Sequence, residues 1–222
     1  MSAQSPQLMR ASEVAQEASG SPMRQVLEWV ADDLTRTHPD LGRRNAVCPF
    51  VARSLDLDVM WFAQIDRGSL EAREVENIAL AHLDVFSELE PEDKLKTLVL
   101  VFPTIDSSDA ARRLIDNVQR QVKPRFVEAC LMIGELHPWN ETPARANPTS
   151  SYRPNRSPVS SLAIRHMHSL DGGLLLMEGD EERLKQFYAA FMKCMSPEEL
   201  RRVPPRDQQG LQEFVAGLFK RA

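Results

Sequence analysis

The chain has 222 residues, 42% of them hydrophobic and 27% charged, with a formal net charge of −5; this is enough apolar content for one sizeable core, and a single domain is the first expectation. The mild acidic excess is carried by mixed charges and forms no basic stripe, so the footprint of a nucleic-acid binder is missing. No segment approaches the ~18 apolar residues of a membrane span, and the N-terminus lacks the apolar stretch of a signal peptide.

In chain order, residues 1–21 are rich in Ser, Gln, Ala and Glu and run into Ser19-Gly20-Ser21-Pro22. They offer too few large apolar groups to offset the entropy of ordering, and a mobile tail is expected, followed by one domain over 22–222. From Met23 the residues Val26, Leu27, Trp29, Val30 and Leu34 fall at helical spacing. The helix should stop near Arg36, because the residue before Pro39 is pushed out of the α region. Four apolar segments read as strands: 59–65, 97–102, 129–136 and 159–167. Helical patterns separate them at 70–89 and at 108–126, the second opening on the capping types Ser108-Asp109. Two more helical stripes follow at 181–195 and 208–219. The pattern predicts an α+β fold, a sheet of about four strands with packed helices.

Between the third and fourth strands the stretch 137–158 carries Pro138, Pro143, Pro148, Pro154 and Pro158. A structureless connection of that length in a compact domain is usually functional or disordered, and a functional loop is the expectation.

Several residues could carry chemistry. Cys48 precedes Pro49, a residue favoured in a helix's first turn, so its thiol is expected at a helix N-terminus, where the thiolate is favoured; the alternative is a small buried hydrophobe beside a turn. The three cysteines, Cys48, Cys130 and Cys194, are odd in number and far apart. That suits neither a disulfide framework nor a thiolate zinc site, and points to a reducing, cytoplasmic setting. His137 closes a strand and opens the long loop, where a scaffold can hold an imidazole toward a cleft. His166 and His168 are expected on one face of the last strand, and with His137 they could hold a non-haem metal. Asn155 and Arg156 lie where the loop re-enters the sheet, and Arg165 lies on the strand. Guanidinium forks suit carboxylates, although Arg156 could equally pin the loop to backbone carbonyls. Phosphate-loop, serine-elbow and paired-cysteine signatures are absent from the sequence, which removes support for nucleotide hydrolysis, serine hydrolysis and covalent haem attachment.

Cys48-Pro49-Phe50, then Leu136-His137-Pro138, then Asn155-Arg156-Ser157-Pro158 resemble, in order and spacing, a bacterial family marked by Cys-Pro-Phe, Phe-His-Pro and Asn-Arg-Ser-Pro. Here Leu136 replaces the family's Phe, and Ala163 stands where its last strand carries His, with His166 nearby. The Cys-x-Phe region is also similar to haem-dependent N-oxygenating enzymes of natural-product biosynthesis, of the guanitoxin N-hydroxylase type, and to nitrocyclopropane-forming enzymes. The resemblance implies non-covalently bound haem b and oxidation of a small amino acid or its nitrogen derivative. His137 or His166 would be the iron ligand, Cys48 an auxiliary or alternative ligand, and Asn155, Arg156 and Arg165 would contact cofactor or substrate carboxylates. The alternatives are a non-haem metal oxygenase built on His137, His166 and His168, and a cofactor-free binding domain. Expected partners are an amino-acid-like small molecule and, at most, a second copy of the chain, with neither nucleic acid nor membrane.

Overall fold

A computed structural model describes residues 6–41, 44–144, 147–175, 180–203, 207–209 and 212. The fold is α+β, built on a five-stranded mixed sheet in the order β1-β2-β3-β5-β4. The strands are β1 (Leu8–Arg10), β2 (Met60–Gln64), β3 (Thr97–Val101), β4 (Leu131–Leu136) and β5 (Ser161–His166). Four of them fall inside the predicted apolar segments. The helices are α1 (Ala11–Val14), α2 (Pro22–Trp29), α3 (Val51–Asp56), α4 (Ala72–Glu88), α5 (Ser108–Ala111), α6 (Asn117–Glu128), α7 (Gly172–Leu175), α8 (Glu181–Cys194) and α9 (Pro197–Arg201). Two helices carry π-helical turns, Val30–Leu34 after α2 and Arg112–Asp116 between α5 and α6. The cap of α5 is Ser107, whose hydroxyl accepts from the Ala110 amide, one residue before the expected Ser108. The expected helix over 208–219 lies largely outside the described residues.

The fifth strand corrects the expectation of a mobile tail. β1 pairs antiparallel with β2, Leu8 opposite Ala63 and Arg10 opposite Trp61. Ala11 and Val14 are buried, Val14 completely. Polar contacts hold the same segment: the Ser12 amide and hydroxyl donate to the Asp58 carboxylate at 3.1 and 2.7 Å. The Arg10 guanidinium donates to the Asp58 and Glu90 carbonyls and lies 4.6 Å from the centre of the Trp61 ring. Composition concealed this docking because a short strand and one turn of helix need only a few apolar residues when partners are already in place.

The chain divides into two compact units where the composition suggests one domain: Met1–Val122 with Ile133–Arg165, and Lys123–Met132 with His166–Ala222. In the first, β2 runs parallel to β3, and β3 antiparallel to β5. Register and alternation put Met60, Phe62, Val99 and Val101 on one face. That face is covered by Val14, Val26, Val30 and Val51, with Cys48 and Val159 packed against the same cluster. The second unit centres on Phe187, Phe191, Met132, Met167 and Leu175.

The second unit also holds a disulfide between Cys130 and Cys194, which overturns the reading of all three cysteines as reduced thiols and with it the cysteine argument for a cytoplasmic setting. Sequence distance hid the pair: the partners are 64 residues apart. Cys130 follows α6 at φ 62, the left-handed conformation in which a helix usually ends on Gly. Among the described residues no helix is long and apolar enough to cross a membrane.

Deleting residues 1–14 should cost on the order of 3 kcal/mol, the scale for burying one aliphatic side chain together with smaller contacts; urea unfolding matching the full-length protein would restore the tail reading. Alkylation of the denatured, unreduced protein should modify Cys48 alone, and reduction should lower stability by about 2–4 kcal/mol. Modification of all three cysteines without reductant would remove the disulfide from this account.

Candidate functional site

Two of the three sequence motifs, His-Pro and Asn-Arg-Ser-Pro, meet around the end of β4. His137, the first residue after the strand, is 2% exposed, and its backbone is held at both ends: its amide donates to the Asn155 carbonyl at 3.2 Å, and its carbonyl accepts from the Asn140 amide at 3.1 Å. The ring's Nε2 lies 2.8 Å from Asp116 Oδ1. A carboxylate can only accept, so Nε2 carries a proton, and in the neutral ring Nδ1 is then the nitrogen with the lone pair. Nδ1 is buried and has no hydrogen-bond partner among the described residues. An unmatched buried polar atom costs about 1–3 kcal/mol, which is tolerated where something is gained from it. The Trp139 ring lies 6.5 Å away, centre to centre.

Asp116 escaped the sequence reading. It lies 21 residues before His137 in an ordinary amphipathic pattern, and it ends a π-helical turn, a one-residue insertion that hydrophobic spacing does not reveal. Such insertions recur at functional sites.

The Asn-Arg-Ser motif closes the loop on itself. Asn155 gives its carbonyl to the His137 amide and its side-chain amide to Glu135 at 3.5 Å. Arg156 donates to the Asn140 carbonyl at 2.9 Å and pairs with Glu141. Ser157 donates to the Val159 carbonyl. Arg156 thus pins the loop to a backbone carbonyl, the simpler of the two roles its sequence position allows, rather than standing ready for a cofactor carboxylate.

A second set of contacts straps the loop to the segment around the 3-10 turn Pro39–Leu41. His38 and Tyr152 stack with ring centres 3.7 Å apart and planes 10° from parallel. Ser150 donates to Asp40 at 3.0 Å. Burial, with the nearby Asp33 carboxylate adding to it, pushes the Tyr152 phenol above its ordinary value. His38 is therefore a loop anchor.

The remaining candidates are distributed differently. Register puts Arg165 on the Val99 face, opposite Thr97, with its guanidinium 5.6 Å from the centre of the Phe50 ring. His166, next along the strand, points to the other face. β5 ends at His166, so alternation does not extend to His168, whose amide instead donates to Asp171 at 2.8 Å in the turn that follows. Cys48 is a free, half-buried thiol packed on the hydrophobic cluster. The helix after it is only six residues long and is capped by Phe50, too little helix and too distant a cap for the expected N-terminal thiolate site. Among the described residues no group of three or more His, Cys, Asp or Glu side chains is arranged to hold a metal ion, so the three-histidine arrangement gains no support.

A family model described as Domain of unknown function (DUF6875) matches residues 23–202. No curated protein and no solved structure matches the chain.

Replacing Tyr152 by Ala should accelerate proteolysis within 147–158 several-fold while cleavage elsewhere is unchanged, because the stack is the loop's main aromatic anchor. Cleavage at the wild-type rate would mean that the Ser150 and Arg156 contacts hold the loop without it.

Proposed function

This chain belongs to the DUF6875 family, and we propose that it is a haem-dependent oxidative enzyme acting on a small amino acid or its nitrogen-oxidised derivative. The observation that carries the reading is the His137–Asp116 pair: a buried imidazole, one nitrogen held by a carboxylate at 2.8 Å, with the other nitrogen unmatched among the described residues. One imidazole is sufficient to hold haem iron, so the reading needs no cluster of ligands. The order of Cys-Pro-Phe, His-Pro and Asn-Arg-Ser-Pro supports the same class by resemblance.

Haem b, when bound, supplies one-electron and oxygen chemistry that no side chain provides. The chain's own residues do the rest. His137 would hold the iron through Nδ1, and Asp116 keeps the ring oriented. Loop residues Trp139, Asn140 and Asn155 lie against His137 and exclude water from it, so loading a cofactor requires the strapped loop to open. Arg156 is occupied by Glu141 and does not fit the role of carboxylate clamp; the reading assigns the substrate carboxylate to Arg165. Cys48, half-buried against the apolar cluster, serves as packing rather than as ligand.

A second reading, a cofactor-free binding domain, is favoured by one observation: Asn155, Arg156 and Ser157 spend their hydrogen bonds on fixing the loop.

The visible spectrum of protein produced with supplemented haem separates the two. The expected result is a Soret band that His137→Ala removes and Cys48→Ala keeps. Its absence from the wild type after supplementation favours the binding domain, and its loss only in His166→Ala would move the ligand to β5.

A further inference from the structure

We infer that Asp116 is a positioning residue for His137, fixing the ring in the Nε2–H tautomer so that Nδ1 is the nitrogen presented as electron-pair donor. The iron-binding consequence rests on the proposed function; the tautomer does not.

Three observations converge. First, the His137 side chain is 3% exposed and Asp116 25%, so the pair spans from the interior toward solvent and the carboxylate keeps part of its hydration while gripping the buried ring. Second, the opposite tautomer would put a lone pair on Nε2 against the lone pairs of Asp116, and would bury a donor at Nδ1 where no acceptor is found among the described residues. Both changes are unfavourable, so the choice of tautomer is strongly biased. Third, the backbone on either side of His137 is fixed by the Asn155 carbonyl and the Asn140 amide, so presenting Nε2 instead would take a rotation of the buried ring about its side-chain bonds that gives up the 2.8 Å contact with Asp116. The π-helical turn Arg112–Asp116 supplies the reason Asp116 reaches this place: the extra residue shifts the turn's last side chain off the regular helical spacing.

The arrangement mirrors the way carboxylates orient metal-bound imidazoles, with one ring nitrogen to the carboxylate and the other to the metal. Its particular feature is the choice of nitrogen. Here the carboxylate takes Nε2, and Nδ1, the nitrogen nearer the backbone, is left for the iron. A group held there would sit close to the main chain of the His-Pro-Trp turn, which restricts its approach.

The test has two arms. In the first, nitrogen NMR of the full chain with 15N-labelled histidine, without cofactor and at mildly alkaline pH, reads the tautomer directly. The wild type should show His137 protonated at Nε2, and Asp116→Asn, close to isosteric, should shift the population toward Nδ1–H. A wild-type ring protonated at Nδ1, or a wild-type spectrum unchanged by Asp116→Asn, overturns the inference. In the second arm, on haem-supplemented protein, Asp116→Asn should weaken haem binding by about 10- to 100-fold and raise the reduction potential, while Asp116→Glu recovers most of both. Affinity and potential left at wild-type values in Asp116→Asn would reduce Asp116 to a packing contact. If the wild type binds no haem, the proposed function falls, and the NMR arm alone decides the inference.

Discussion

A carboxylate gripping one nitrogen of a buried imidazole is the interaction on which the site depends. Burial takes water away from His137, so every polar atom of the ring must find a protein partner or stay unmatched. Asp116 satisfies Nε2 at 2.8 Å, and nothing among the described residues satisfies Nδ1. The loop that follows is organised around this residue: Asn140 and Asn155 bind its backbone, Arg156 and Glu141 close the turn behind it, and the His38–Tyr152 stack anchors the far end. Prolines along the loop lower the entropy lost on fixing it, which suits a long connection that must hold one conformation.

The interactions divide into those that fix the loop and those that define chemistry, and the short motifs contribute to both. His137 combines burial, a charged partner and an unmatched ring nitrogen. Asn155, Arg156 and Ser157 are structural in their bonds, although all sit within reach of the same turn. Cys-Pro-Phe contributes through packing: Cys48 joins the apolar cluster, and Phe50 receives the Arg165 guanidinium on its ring. A motif can therefore mark a family by what it folds as much as by what it catalyses.

Much of the scaffold was legible from residue patterns because strands buried on both faces read as continuous apolar runs, as in Leu98-Val99-Leu100-Val101. The α+β class followed from their alternation with helices. What stayed hidden depended on partners distant in sequence. β1 is three residues long and owes its order to β2, Asp58 and Trp61. The Cys130–Cys194 bridge joins two segments whose local patterns are those of an apolar strand and an ordinary helix. Of the site, His137 and the loop were recognisable from position, but Asp116 carried no local signal, since a π-helical turn leaves no mark on apolar spacing. His166 and His168 looked like a pair only while the strand was taken to extend past His166.

The central claim is that His137 donates through Nδ1, and it is tested most directly by electron–nuclear double resonance on the ferric haem-supplemented protein carrying histidine labelled with 15N at Nδ1 only. The account predicts strong hyperfine coupling from the labelled nitrogen, absent in His137→Ala. Coupling from unlabelled nitrogen alone, or a protein that takes up no haem, would contradict it.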